Sequence, residues 1–89
     1  MSMEPARKAV AALGLPSDVI LGDVMVYAVG CHKIRVENYR SLLLYTDTLI
    51  RIQTRNCRLI LRGKGLCIEC YTVEEMTVTG RISAIEFEV

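Results

Sequence analysis

Leu49-Ile50-Arg51-Ile52-Gln53-Thr54, Arg55-Asn56-Cys57, Arg58-Leu59-Ile60-Leu61-Arg62, Gly63-Lys64-Gly65 and Leu66-Cys67-Ile68-Glu69 form one continuous stretch whose reading decides the fold. Apolar and polar residues alternate along it. A period of two means half-buried strands, with every second side chain facing a core. The interruptions at Arg55-Asn56-Cys57 and Gly63-Lys64-Gly65 are turn-like. Ile50, Ile52, Leu59, Leu61, Leu66 and Ile68 are assigned inward, and Arg51, Gln53, Arg58, Arg62 and Glu69 outward. Ile60 breaks the pattern, because it alternates with the arginines. It is expected beneath an N-terminal helix or in an interface.

The pattern extends in both directions. Further strands are predicted at Val24–Val29, Lys33–Asn38, Leu42–Thr46, Met76–Thr79 and Arg81–Phe87. Val78 and Ile82 are read as inward and Thr79 as outward. Gly80 is read as a bulge or bend rather than a strand end. Strands this close in sequence pair antiparallel, since parallel pairing needs a longer crossover. The expected fold is all-β: an antiparallel two-layer β-sandwich of seven or eight short strands, with a β-roll or small barrel as the alternative. Before it, residues 4–13 read as a short helix, capped by Ser2, helped by Pro5 and ended by Gly14. Residues 1–14 are therefore an N-terminal helix or arm, and residues 15–89 a single domain.

Composition bounds the function. A chain of 89 residues buries only about 60–65% of its unfolded surface. Yet 52% of it is hydrophobic, with no Trp and one Phe, and the mean hydropathy is +0.32. That fits either a dense aliphatic core or a face that awaits a partner or a second copy. No run approaches the roughly 20 apolar residues of a bilayer span. Val10-Ala11-Ala12-Leu13 is shorter than the 7–15 residues of a signal-peptide core. The sequence thus predicts a cytoplasmic protein whose four cysteines are reduced thiols.

Net charge is +1 but unevenly spread: −1 over residues 1–32, +6 over 33–64 and −4 over 65–89. A basic middle and an acidic end can attract a second copy or an anionic surface. Arg51, Arg55, Arg58 and Arg62 are the candidate binding residues, a basic face able to meet carboxylates or phosphates. The alternative is a solvated face that keeps a sheet edge soluble. No tyrosine interleaves with these arginines, as stacking on a single strand would need, so nucleic acid is not expected as a partner.

Catalytic and metal chemistry find little support. Cys67-x-x-Cys70 lies in a strand pattern, where positions i and i+3 face opposite sides, so the thiols are expected to diverge. Cys31 and Cys57 stand alone, and His32 is the only histidine. His32 beside Cys31 lacks an orienting acid, Glu74-Glu75 reads as a solvated loop, and Gly63-Lys64-Gly65 is too short for a phosphate loop. No enzyme activity, metal or cofactor is expected. A small thiol or metal protein using Cys67 and Cys70 remains a third reading.

The order of the pieces carries one further inference. Leu15-Pro16-Ser17-Asp18-Val19, Val36-Glu37-Asn38-Tyr39-Arg40-Ser41-Leu42-Leu43-Leu44-Tyr45, Leu49 to Thr54, Leu59-Ile60-Leu61-Arg62-Gly63, Leu66-Cys67-Ile68 and Gly80-Arg81-Ile82-Ser83-Ala84-Ile85-Glu86-Phe87 follow in sequence. In this order and spacing the chain resembles the YabP/YqfC family of small sporulation proteins, the YqfC branch in particular. One departure is Cys57, where the family usually has glycine. If that turn needs φ > 0, Cys57 is strained or the turn type has changed. The resemblance implies an all-β fold and a non-enzymatic role in endospore formation. That role would lie in the mother cell, next to the forespore envelope, beside a membrane-protein partner of the YqfD type. An adaptor or assembly factor, possible self-association and peripheral contact with an anionic membrane are the resulting expectations. A module that binds an anionic lipid headgroup or cell-wall precursor is the alternative.

Overall fold

A computed structural model describes residues 22–89. The helix expected at residues 4–13 lies outside the described residues. Six strands follow in order: β1 (Met25–Val29), β2 (Lys33–Glu37), β3 (Ser41–Tyr45), β4 (Leu49–Gln53), β5 (Arg58–Tyr71) and β6 (Glu75–Glu88). All pairings are antiparallel, in one sheet of order β1-β2-β6-β5-β4-β3. Among the described residues there is no helix long and apolar enough to cross a membrane.

Two corrections to the sequence reading follow. The eight predicted strands are six, because the turn expected at Gly63–Gly65 lies inside β5 and β6 runs unbroken through Gly80, the position read as a bend rather than a strand end. The strands expected as a two-layer sandwich are hydrogen-bonded into one sheet.

That sheet cannot be flat. β2 and β3 are four strand spacings apart in the order, about 19 Å on a flat sheet. Only Asn38-Tyr39-Arg40 joins them. The four steps from Glu37 to Ser41 reach at most about 14 Å. The offset along the strands is larger still. Glu37 lies opposite Glu75, at the closed end of the β5–β6 hairpin. Ser41 pairs with Gln53, Gln53 with Arg58, and Arg58 with Glu88, at its open end. Straight 14-residue strands would hold those ends about 45 Å apart. The hairpin therefore doubles over and brings its tip near its base.

The bend lies where the β5–β6 register shifts, between Arg62 and Gly63 and between Lys64 and Cys67. Bulges let a strand turn from one layer to the next. Two backbones approach so closely there that a Cβ on Gly63 would lie 2.0 Å from the Arg81 carbonyl oxygen. A Cβ on Gly80 would lie 2.6 Å from that of Gly65. Glycine is the residue that fits both places.

Doubling over makes the core. Ile34, Val36, Met76 and Val78 come from one half of the sheet, and Ile50, Ile52, Leu59 and Leu61 from the other, in one buried cluster. Leu66 is buried with them, and Ile68 and Ile82 pack against its rim. Every residue read as inward from the alternation thus meets this core. Tyr39, in the three-residue link, is also buried in it. Its hydroxyl donates to the Thr72 carbonyl, and its ring stacks on Tyr71 with centroids 5.9 Å apart.

The turn at Arg55-Asn56-Cys57 needs no special backbone at Cys57. Asn38 is the only non-glycine at positive φ among the described residues. Thr54 builds the turn instead. Its hydroxyl donates to the Cys57 carbonyl at 2.8 Å and accepts from the Cys57 N–H at 3.1 Å. Cys57 is accordingly unstrained in this turn.

Candidate interaction surface

The arginines sit where alternation puts them. Arg51 in β4 lies in register with Ile60, whose other partner is Glu86. Arg58 and Arg62 are two residues to either side of Ile60, so Arg51, Arg58, Ile60 and Arg62 share the outer face of this half. Arg55 belongs instead to the β4–β5 turn.

Three of the four hold carboxylates. Arg58 Nη1 is 3.3 Å from Glu88 Oε1, Arg62 Nε is 3.3 Å from Glu86 Oε2, and Arg55 Nη1 is 3.3 Å from Asp23 Oδ1. Their side chains are roughly half exposed, so each pair contributes about 0–1 kcal/mol. Arg51 makes no ion pair among the described residues. The face is thus a strip of alternating sign rather than a uniformly basic patch. On the other half, Arg35 lies over the Tyr27 ring at 4.3 Å and pairs with Glu37 and Glu75. Ile60, at the centre of the arginine face, is buried although it lies outside the core cluster.

The second feature is an open strand. β2 covers only the first part of β6, from Glu75 to Thr79. The β1–β2 turn then continues the pairing, with Gly80 N–H donating to the His32 carbonyl and Ile82 N–H to that of Cys31. Beyond that point no described strand pairs with the second side of Ser83–Glu88. A row of backbone donors and acceptors left unpaired is a template for another strand. Ile85 and Phe87 point to the inner face of this segment, opposite Leu61 and Leu59, yet are 38% and 57% exposed. Beside them lies a depression of about 220 Å³, lined by Ala28, Gly30, Ile34, Ile82, Ser83 and Ile85 among others. Alternation implies a sheet edge but does not say which strand carries it, because an edge is a property of pairing.

The matching open side of β5 is closed. Leu66 N–H donates to the Asp47 carbonyl and Gly63 N–H to that of Thr48. Ile68 N–H donates to the Tyr45 hydroxyl at 3.0 Å. The β3–β4 turn and Tyr45 therefore blunt one edge while β6 stays open.

The thiols depart from expectation. Cys67 pairs with Thr79 and Cys70 with Thr77, because a register shift between Ile68 and Cys70 leaves Glu69 over. Thr77 and Thr79 share the outer face, so Cys67 and Cys70 do too, and they do not diverge. The four cysteines are free, and no three metal-ligating side chains lie together among the described residues. Among the groups at this end, Tyr39 has its pKa raised, first by burial and then by Tyr71 and Cys70 nearby.

Comparison with known proteins sets these features in a family. The model of the YabP family matches residues 25–89, from the start of β1 to the last residue. The chain is 30% identical over 76 residues to the uncharacterized protein YqfC of Bacillus subtilis (strain 168). That match covers 85% of this chain and 82% of the relative. No solved structure matches significantly.

Proposed function

The chain belongs to the YabP family, and from that premise we propose that it is a non-enzymatic adaptor of endospore formation. It works in the mother cell against the forespore envelope. Its partner is a membrane protein of the YqfD type, an extended segment of which adds to the sheet as a strand beside β6. The observation that supports this reading is the side of Ser83–Glu88 that no described strand pairs, with Ile85 and Phe87 exposed on the same segment. In such strand addition, main-chain hydrogen bonds supply affinity and pockets for alternate side chains supply register. The depression at Ala28, Ile34 and Ile85 offers one such pocket. The arginine face of Arg51, Arg55, Arg58 and Arg62 is the flanking polar contact, with Arg51 the member that has no carboxylate among the described residues. Self-association uses the same edge when the partner is absent.

The test is capture of the detergent-solubilised YqfD-type protein by the immobilised full chain. Capture is expected with the native chain and lost with the double variant Ile85→Lys/Phe87→Lys. The variant's circular dichroism and unfolding midpoint are expected to match the native ones, since both side chains are substantially exposed. Undiminished capture by the folded double variant overturns edge docking. Arg51→Glu is expected to weaken capture less, and only at low salt.

A further inference from the structure

We propose that Lys64 and Arg81 form a binding site for a phosphate-type oxyanion at the bend of the sheet, independent of the β6 edge. The two residues are register partners across β5 and β6. Side chains so placed leave the same face with Cβ atoms about 5 Å apart. Like charges in this position destabilise a sheet. The opposed carboxylates of Glu37 and Glu75 are bridged by Arg35, and Arg55, Arg58 and Arg62 each hold a carboxylate. Lys64 and Arg81 hold none among the described residues. Neither Asp47 nor Glu69 pairs with them, and Glu69 accepts instead from Thr79.

The bend fixes the pair. Gly63 precedes Lys64 and Gly80 precedes Arg81, and neither glycine has room for a Cβ. The two cations are therefore held side by side where the two backbones approach closely. They rim a depression of about 410 Å³ whose other walls are Cys31, Gly63, Ile82 and Ser83. Among the described residues no acidic side chain lines it. The Ser83 hydroxyl is committed to the Arg62 carbonyl, at 3.1 Å, so recognition falls to the two cations. A guanidinium fork takes two oxygens of one phosphate and an ammonium takes a third as a point charge. Two positive charges match a dianion, and a phosphomonoester becomes one above pH about 6. The shared chemistry is a phosphate monoester group, free in solution or presented by a lipid.

Amide chemical-shift titration of the full chain with inorganic phosphate tests the site. Saturable shifts are expected around Gly63–Leu66 and Gly80–Ser83, with affinity that rises from pH 5.5 to 7.5 as the second proton leaves. Lys64→Ala/Arg81→Ala is expected to weaken binding at least about tenfold. Arg40→Ala, in the β2–β3 link, serves as a control with unchanged affinity. Because the pair repels itself, each single variant without phosphate is expected to unfold no earlier than the native chain, and phosphate to stabilise only the native one. Sedimentation with phosphatidylcholine vesicles, with and without phosphatidic acid, separates the sources. Lys64- and Arg81-dependent binding to the acidic vesicles assigns a lipid headgroup, whereas phosphate shifts without it assign a soluble monoester. Absent shifts, or shifts that persist in the double variant, overturn the site.

Discussion

Asn38 and Tyr39 show how much of the fold rests on single residues. Asn38 holds φ at 64°, a left-handed conformation that asparagine tolerates and a β-branched residue does not. Its N–H donates to the Glu74 carbonyl and its side-chain amide to that of Asp23, so both sides of the link are pinned. Asn38→Val is expected to cost about 2 kcal/mol by urea unfolding, and Asn38→Gly less than half of that. Tyr39 lies next along the chain. Its raised pKa means that the folded state holds the phenolic proton more tightly than the unfolded chain, whose value is near 10.0. The sign follows: this stability is fully present below pH 10 and is lost as pH rises through the folded pKa. Urea midpoints of the native chain should stay flat from pH 7 to 9 and fall above 10. Tyr39→Phe should be less stable at neutral pH by about 1 kcal/mol, from the lost bond to Thr72, and should show a smaller alkaline fall. A native alkaline fall equal to that of Tyr39→Phe would exclude the assignment. Neither role was legible in the sequence. A tyrosine in a short polar link reads as solvent-facing, and its burial follows only when the sheet doubles over.

At the scale of elements, alternation was a reliable guide wherever strands pair without interruption. Ile50, Ile52, Leu59 and Leu61 could be placed inward from the residues alone, because β4 and β5 pair in unbroken register. The interruptions were harder. Gly63-Lys64-Gly65 reads as a turn, since a bulge and a turn draw on the same glycine freedom, and only the partner strand tells them apart. The leftover Glu69 has no signature at all, yet it turns Cys67 and Cys70 to one face. Substitution separates the two uses of glycine. At Gly65 nothing lies within 4 Å of a new Cβ but φ is 62°, so Gly65→Ala should cost about 1–2 kcal/mol. At Gly63 the new atom meets backbone at 2.0 Å, so Gly63→Ala should cost more than about 3 kcal/mol or open the bend. Equal costs at the two positions, measured by urea unfolding, would show that the bend is not fixed by close backbone approach.

For the whole molecule, doubling over decides where the charges go. The basic segment from 33 to 64 and the acidic segment from 65 to 89 read, in sequence, as halves that attract between copies. In the fold they are neighbours in one sheet, and Arg58–Glu88 and Arg62–Glu86 join them across β5 and β6 within the chain. The arginine positions were legible, but their ion pairs were not, because strand order is set by the bend and not by local pattern. Those four charges, paired within the chain, leave less to drive association between copies. Among the described residues the strand backbone left unpaired is the β6 edge, where backbone groups and the Ile85 and Phe87 side chains act, and these interactions are insensitive to salt. Light scattering after size-exclusion chromatography should therefore give the same mass at low and high salt. Any dimer present should persist in high salt and disappear in Ile85→Lys/Phe87→Lys. A mass that falls as salt rises would return the arginine face to the centre of assembly, with Arg51→Glu as the variant to follow it.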